Sequence, residues 1–425
     1  MRTLNYSNIA ETLYYKQLAN GLRVFILHKK DFQKTYATFT TEYGSIDSSF
    51  VVNGNNYEVP DGIAHFLEHK MFEEEKGDVF QDFAKLGGQT NAFTTFNRTT
   101  YLFSSTENVR ENLEVLLNFV QNPYFTDENV NKEKGIIAQE IKMYQDNPDW
   151  RLYFGLLGLM YQESPISKDI AGTVESIQRI TKEDLSLCYN TFYHPSNMVL
   201  FIVSSWDPIE LLAVVENNQT PKKFTSSPDI SRNHHHSMQL LTKKKEKTIE
   251  IKLAVAIPKL LIGFSDPETG LTGDQYLERE LSTLIMLELI FGKGSKVFTE
   301  LLEAGLIDND FSFEYQLEKQ YGFSTLGGSS KKPVQLLGRI KAELNKAKED
   351  GFDSQMFERV KKKKIGEYLR RLNYPEYIAN QFTKYVFNDA NLFDMLKVLE
   401  EIKLKDINDR LEQFTDFSAV IVNKA

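Results

Sequence analysis

The chain has 425 residues, 41% hydrophobic and 26% charged, which is the composition of a soluble globular protein too long for one ordinary domain. Its 50 Lys and Arg against 59 Asp and Glu leave a net charge of −9, which argues against a general nucleic-acid binder. No window approaches the ~18 continuous apolar residues of a membrane helix, the start shows no signal-peptide pattern, and the lone Cys188 excludes an intrachain disulfide and a thiolate metal cluster; together these favour the cytoplasm.

In chain order, residues 23–30 (RVFILHKK) and 34–45 (KTYATFTTEYGS) alternate and are rich in β-branched and aromatic residues, so they read as neighbouring strands. Residues 60–73 (PDGIAHFLEHKMFE) are helical, 79–88 (VFQDFAKLGG) are helical with a Gly stop, and 90–106 form a strand-rich hairpin. Residues 131–148 (NKEKGIIAQEIKMYQDNP) read as a helix that Ile136, Ile137, Ile141 and Met143 make mostly buried. Cys188 lies in a helical pattern and reads as a small buried side chain. Residues 216–246 are polar and aperiodic, a surface linker between a first repeat, 1–215, and a second, 247–425. The linker's His234, His235 and His236 read as part of a solvated loop.

The two halves echo each other. Residues 180–203 and 402–422 each read as helix, turn and buried strand. Residues 139–150 align with 366–377: Glu140 precedes Pro148 by eight positions, as Glu367 precedes Pro375. Strands, helices and strands in turn indicate an α+β fold of two homologous repeats, each an antiparallel sheet with helices packed on one face.

The stretch HFLEH carries the chemistry. His65 and His69 share a helix face and can hold one ion, and Glu68 flanks that face within reach of a water on it. A third ligand must come from elsewhere. Glu133 and Glu140 are seven apart, so they share a face of another helix. The pattern H-x-x-E-H fits many helices, and two glutamates usually mark a solvated face. The apolar surroundings of the histidines (Ile63, Ala64, Phe66, Leu67, Met71, Phe72) favour coordination.

HFLEH followed by a distant Glu resembles the pitrilysin–insulinase family of inverted zinc peptidases. His69 and Glu140 have 70 residues between them, at the short end of the family's range. The segments GGQTNAFTTFNRTTYLF, EKGIIAQEIKMYQDNP and FYHPSNMVLFIV follow in family order, and the second half is similar to the family's degenerate repeat. The resemblance implies a processing-peptidase-like fold and one zinc per chain, held by His65, His69 and Glu140, with Glu68 as general base. It implies that Glu133 orients a ligand histidine. It also implies that Asn91, Ala92 and Phe93 form an edge strand that pairs with an extended peptide substrate. One departure stands out. Active members place an Arg and a Tyr, seven apart, in the second repeat, where this chain has Leu302 and Asp308 or Asn309. The resemblance therefore implies a zinc-free paralogous partner that supplies the pair in a heterodimer. A homodimer would lack it in both copies unless Tyr315 or Tyr321 substitutes. Two rivals are a non-catalytic scaffold subunit of the same fold and a metal enzyme acting on small molecules, such as a thioether lyase.

Overall fold

The computed structural model describes residues 1–162, 164–233 and 247–425; the triplet His234, His235 and His236 lies outside the described residues. The chain forms two units that are not continuous in sequence. Unit 1 comprises Met1–Ile141, Asp169–His234 and Arg371–Phe387, and unit 2 comprises Lys142–Lys168, His235–Arg370 and Asn388–Ala425. Among the described residues no helix is long and apolar enough to cross a membrane.

Unit 1 is built on β1 (Arg2–Tyr6), β2 (Glu11–Gln17), β3 (Arg23–His28), β4 (Thr35–Thr41), β5 (Gln89–Thr94), β6 (Thr99–Ser105) and β7 (Met198–Ser204). The sheet order is β1-β2-β3-β7-β4-β6-β5. The last strand slots between β3 and β4, so it runs parallel to β3 and antiparallel to β4; every other pair in this sheet is antiparallel. Within the nominally polar segment 216–246, the first residues continue the helix Pro208–Gln219, and Ile230–Arg232 pair with Phe50–Val52.

Unit 2 repeats the five strands from β3 to the β5 edge: β8 (Lys247–Leu253), β9 (Lys259–Ser265), β10 (Ser312–Leu317), β11 (Gly322–Ser329) and β12 (Phe417–Lys424). Their order, β8-β12-β9-β11-β10, is that of β3-β7-β4-β6-β5, with the single parallel pair at the same place. The α+β class and the duplication inferred from the echoes are thus present in the strand order itself. The helix–turn–strand echo is also there, as Lys182–Phe192 leading to β7 and Leu404–Glu412 leading to β12.

Four further helices matter here: α1 (Ile63–Lys70), α2 (Asp127–Gln145), α3 (Pro148–Met160) and α4 (Pro375–Phe387). In unit 1, Val24, Ile26, Ala37, Phe39, Tyr101, Phe103, Leu200 and Ile202 point from the sheet into the helix-covered core with Ile63, Phe66 and Leu67 of α1. Their neighbours on the opposite face are buried too, because α4 packs on β4 and β7 there. Phe382 of α4 lies 5.0 Å from the Phe25 ring and 4.4 Å from the Phe201 ring. In unit 2, α3 occupies the equivalent place on β9 and β12. The approach is close: a Cβ at Gly263 would stand 2.3 Å from Met160 Sδ, and one at Gly155 would stand 3.4 Å from Ile251 Cδ1. These are the two helices that follow the repeated Glu–Pro spacing. Each repeat therefore contributes its post-proline helix to the other unit. Pro148 fits the first turn of α3, and Asn147 caps it by accepting from the Asp149 and Trp150 amides.

The α2 helix is less buried than its apolar content suggests. Ile137 and Ile141 are buried, but Ile136 and Met143 are 47% and 62% exposed. The stripe from Glu133 through Ile137 to Ile141 follows helical spacing, and positions 136 and 143 fall on the other side.

At the end of β9, unit 2 buries an ion cluster. The Asp266 carboxylate accepts from Arg279 Nε at 3.2 Å, from Arg410 Nη2 at 2.6 Å and from the Tyr315 hydroxyl at 2.5 Å. Burial pushes the Asp266 pKa up, but the Arg279 hydrogen bonds and the two guanidinium charges outweigh this and hold it below the usual carboxylate range. Asp266→Asn strands the buried Arg410 cation and leaves Arg279 with the exposed Glu268, and is expected to cost ~3–5 kcal/mol of unfolding free energy near pH 7. The folded pKa lies below the unfolded one, so this stabilisation is present above pH ~4 and is lost as pH falls through the folded value. Urea midpoints should therefore show a gap between wild type and variant that narrows below pH ~4; a gap constant with pH would contradict the account.

Candidate metal centre

The α1 helix starts at Gly62, whose φ of +90° favours glycine and where a Cβ would lie 2.4 Å from the Ala171 carbonyl oxygen. The Ser176 hydroxyl donates to the Asp61 carbonyl at 2.7 Å and fixes the chain just before the helix. With Ile63, Ala64, Phe66 and Leu67 buried in the core, α1 presents His65 and His69 towards Glu140 and Glu133 of α2.

His65, His69 and Glu140 converge, with one ligand atom from each lying within 4.8 Å of the other two. Glu140 Oε1 is 3.8 Å from His65 Nε2, and Oε2 is 3.6 Å from His69 Nε2. Both distances are too long for hydrogen bonds. Buried His65 Nδ1 has no hydrogen-bond partner either. Two imidazole nitrogens and a carboxylate oxygen facing a shared space without bonding one another fit a metal ion: the donors are of the kind zinc takes, and the gap is otherwise costly to leave. Among the described residues no other group of three potential ligands converges in this way.

Glu133 lies behind His69. Its Oε1 is 3.1 Å from His69 Nδ1. An ionised carboxylate only accepts, so Nδ1 carries the hydrogen and the Nε2 lone pair turns towards Glu140. The other Glu133 oxygen is 3.7 Å from Nζ of Lys70, which is wholly buried and also hydrogen-bonds Glu73. These charges shift the titrations. Burial, then the charge of His69, pushes the His65 pKa down to about 4, so its imidazole is neutral with a free lone pair at neutral pH. Burial opposes the charged form of His69, but the Glu133 hydrogen bond and three carboxylates outweigh it and raise the pKa. Burial also disfavours the Glu133 carboxylate, yet the His69 hydrogen bond with the His69, Lys70 and Lys132 charges holds its pKa below the ordinary value.

Glu68 is 8% exposed, and burial raises its pKa. Its Oε2 accepts from the Thr94 hydroxyl at 2.5 Å. Thr94 ends β5, the edge of the seven-stranded sheet. Asn91, Ala92 and Phe93 of β5 pair with Leu102, Tyr101 and Thr100 of β6 on one side. Among the described residues no strand pairs with the other side.

The expected residues thus fall into one group in unit 1: His65, His69 and Glu140 together, Glu68 and Glu133 beside them, and Asn91, Ala92 and Phe93 on a strand joined to the group through Thr94. Sequence reasoning missed Lys70 and Thr94. A lysine directly before the apolar pair Met71 and Phe72 was the available signal for the first; nothing local marks the second. Leu302 is 42% exposed on the helix Lys296–Glu303, and Asp308 lies in the exposed turn after it. Tyr315 and Tyr321 are both buried, and the Tyr315 hydroxyl is committed to Asp266.

Two family models match the chain in order. Insulinase (Peptidase family M16) matches residues 49–174, which contain all five metal-centre candidates. Peptidase M16 inactive domain matches residues 179–364. The chain is 51% identical to the uncharacterised zinc protease YmfH of Bacillus subtilis (strain 168), over 97% of this chain and 96% of that protein. It is 29% identical over 216 residues to a protein of Arabidopsis thaliana named as a probable beta subunit of mitochondrial-processing peptidase, with 50% of this chain and 39% of that one covered. The crystal structure of a candidate M16-like peptidase from Alicyclobacillus acidocaldarius matches with a TM-score of 0.91 at 40% identity, over 97% of this chain and 99% of that one. Shared over nearly the whole length with a zinc protease, and matched in both halves by models of one family, the chain belongs to the zinc protease family M16, the insulinase family.

Proposed function

We propose that the chain is a zinc-dependent endopeptidase that cuts peptides or unfolded segments bound in extended form. The observation that carries this reading is the convergence of His65, His69 and Glu140 with the buried carboxylate of Glu68 alongside. His65 and His69 hold one zinc through imidazole nitrogens and Glu140 through a carboxylate oxygen, with Glu133 orienting His69. Bound there, zinc supplies Lewis-acid chemistry, acidifying water towards pKa ~7 and polarising a carbonyl. Glu68 takes the proton that the attacking water gives up as its oxygen joins the scissile carbonyl carbon. It returns that proton to the amine nitrogen when the C–N bond breaks. Its raised pKa makes it a stronger base than a surface carboxylate.

Substrate adds as a strand on the open side of Asn91–Phe93, taking backbone hydrogen bonds from β5. The clamp is supplied by a second chain. Leu302 and Asp308 cannot hold a peptide carbonyl as an Arg and a Tyr would, and Tyr315 and Tyr321 are buried. A paralogue that kept the pair and lost the histidines completes the site, in keeping with the subunit name borne by the Arabidopsis relative. A non-catalytic scaffold subunit of the same fold would have no need for His65, His69 and Glu140 to converge, and this favours the peptidase reading.

Three outcomes follow. Purified chain should carry one zinc, and His69→Ala should lose it while circular dichroism stays native; a full complement of zinc in that variant would falsify the ligand assignment. Glu68→Gln, nearly isosteric but unable to accept a proton, should keep zinc and lose ~10²-fold or more in turnover; near-normal turnover removes Glu68 as the base. The chain alone should bind zinc yet cleave slowly, because an unheld peptide lacks the positioning that supplies much of the rate. Adding a zinc-free M16 paralogue with the Arg and Tyr should raise cleavage ~10²-fold or more, and full activity without it would overturn the two-chain reading.

A further inference from the structure

We infer that Thr94 is a positioning residue that aligns the Glu68 carboxylate and links that alignment to occupancy of the edge strand β5. The inference rests on the peptidase reading above and adds a residue and a route of control to it.

The geometry is local and specific. Thr94 Oγ1 lies 2.5 Å from Glu68 Oε2, a short charge-assisted bond. A threonine hydroxyl has a single hydrogen, and an ionised carboxylate can only accept it, so Thr94 donates. The terminal torsion of a glutamate is soft, with two-fold rather than three-fold preference. Without a donor the Glu68 carboxylate would sample a broad range of rotations. With Oε2 held, Oε1 is left as the oxygen that receives the water's proton. Thr94 is itself anchored. It pairs in register with Thr99 across the β5–β6 hairpin, and Thr99 is fixed in turn by donating its hydroxyl to the Tyr43 carbonyl at 2.9 Å.

The anchoring is one-sided. The β6 strand fixes one flank of β5, and the other flank carries no strand among the described residues. An extended peptide that paired there would make β5 an interior strand. Thr94 would then be held from both sides, and so would the base it orients. Alignment of Glu68 should improve when a peptide spans β5, which favours extended substrates at the chemical step rather than only in binding.

The test uses the active assembly with zinc bound, and compares wild type with Thr94→Val and Thr94→Ser. Valine keeps the β-branched shape and strand preference and removes only the hydroxyl; serine restores the hydroxyl. Thr94→Val should retain stoichiometric zinc and lower kcat about tenfold or more, with KM changed less than about threefold. Thr94→Ser should recover most of kcat. In the Glu68→Gln background Thr94→Val should add little further loss, because the two act as a unit. For wild type, a long peptide should be turned over faster than a short one with the same scissile bond, and Thr94→Val should flatten that difference. An unchanged kcat in Thr94→Val, a serine variant no better than valine, loss of zinc in the valine variant, or a full additional loss in the Glu68→Gln background would each overturn the inference. Wild type that loses turnover on Glu68→Gln but ignores Thr94→Val fails this inference alone. Wild type indifferent to Glu68→Gln fails the peptidase reading, and this inference with it.

Discussion

Glu133 accepts from His69 on one oxygen and faces Lys70 with the other, and the polar face of α1 depends on that pairing. A short helix buried against a sheet has no easy way to carry two histidines, a glutamate and a lysine. Each needs a partner supplied from outside the helix, because desolvated charge without one is expensive. The α2 helix supplies two, Glu133 and Glu140, at a spacing that puts both on the face turned towards α1. Thr94 supplies a third to Glu68. His65, His69 and Glu140 face one another at distances too long for hydrogen bonds between them, and their neutral and anionic donors are what a divalent cation takes.

What was legible in the sequence was what is local. The face shared by His65 and His69, the stop at Gly87, the hairpin around residue 97 and the buried Cys188 all follow from helical or strand period and from turn residues. Glu140 was legible by its spacing within a family pattern. What could not be read was what depends on packing at long range. The alternation in 34–45 suggested one buried face for β4, yet the strand is buried throughout because a helix from residues 375–387 lies on it. The echo of Glu140–Pro148 in Glu367–Pro375 was visible as a repeat, but nothing in either segment says which sheet its helix covers. The tie from Lys70 to Glu133 could not be read for the same reason, since the two are 63 positions apart, although its nearer partner Glu73 is only three residues on.

The two units share a strand order and differ in what the first helix after β4 or β9 carries. In unit 1 that helix, α1, holds His65 and His69. In unit 2 the helix Gly273–Phe291 has no histidine and instead places Arg279 on Asp266, in a cluster closed by Arg410 and Tyr315. Its two guanidiniums share the Asp266 carboxylate, and Glu268 adds a second carboxylate on Arg279, so the charges are paired within the protein and the cluster serves cohesion. One scaffold thus supports two ways of accommodating buried charge: by protein partners throughout, or by leaving one gap.

The exchange of α3 and α4 also sets a clock. Glu140 has been synthesised long before the helix that seals the far side of its own sheet, which ends at Phe387. At ~5–20 residues per second the delay is on the order of ten to fifty seconds. Once made, Phe25 and Phe201 lack their cover until α4 emerges. A nascent fragment that holds Glu140 but stops short of α4 therefore carries all three candidate ligands on a sheet with one face bare.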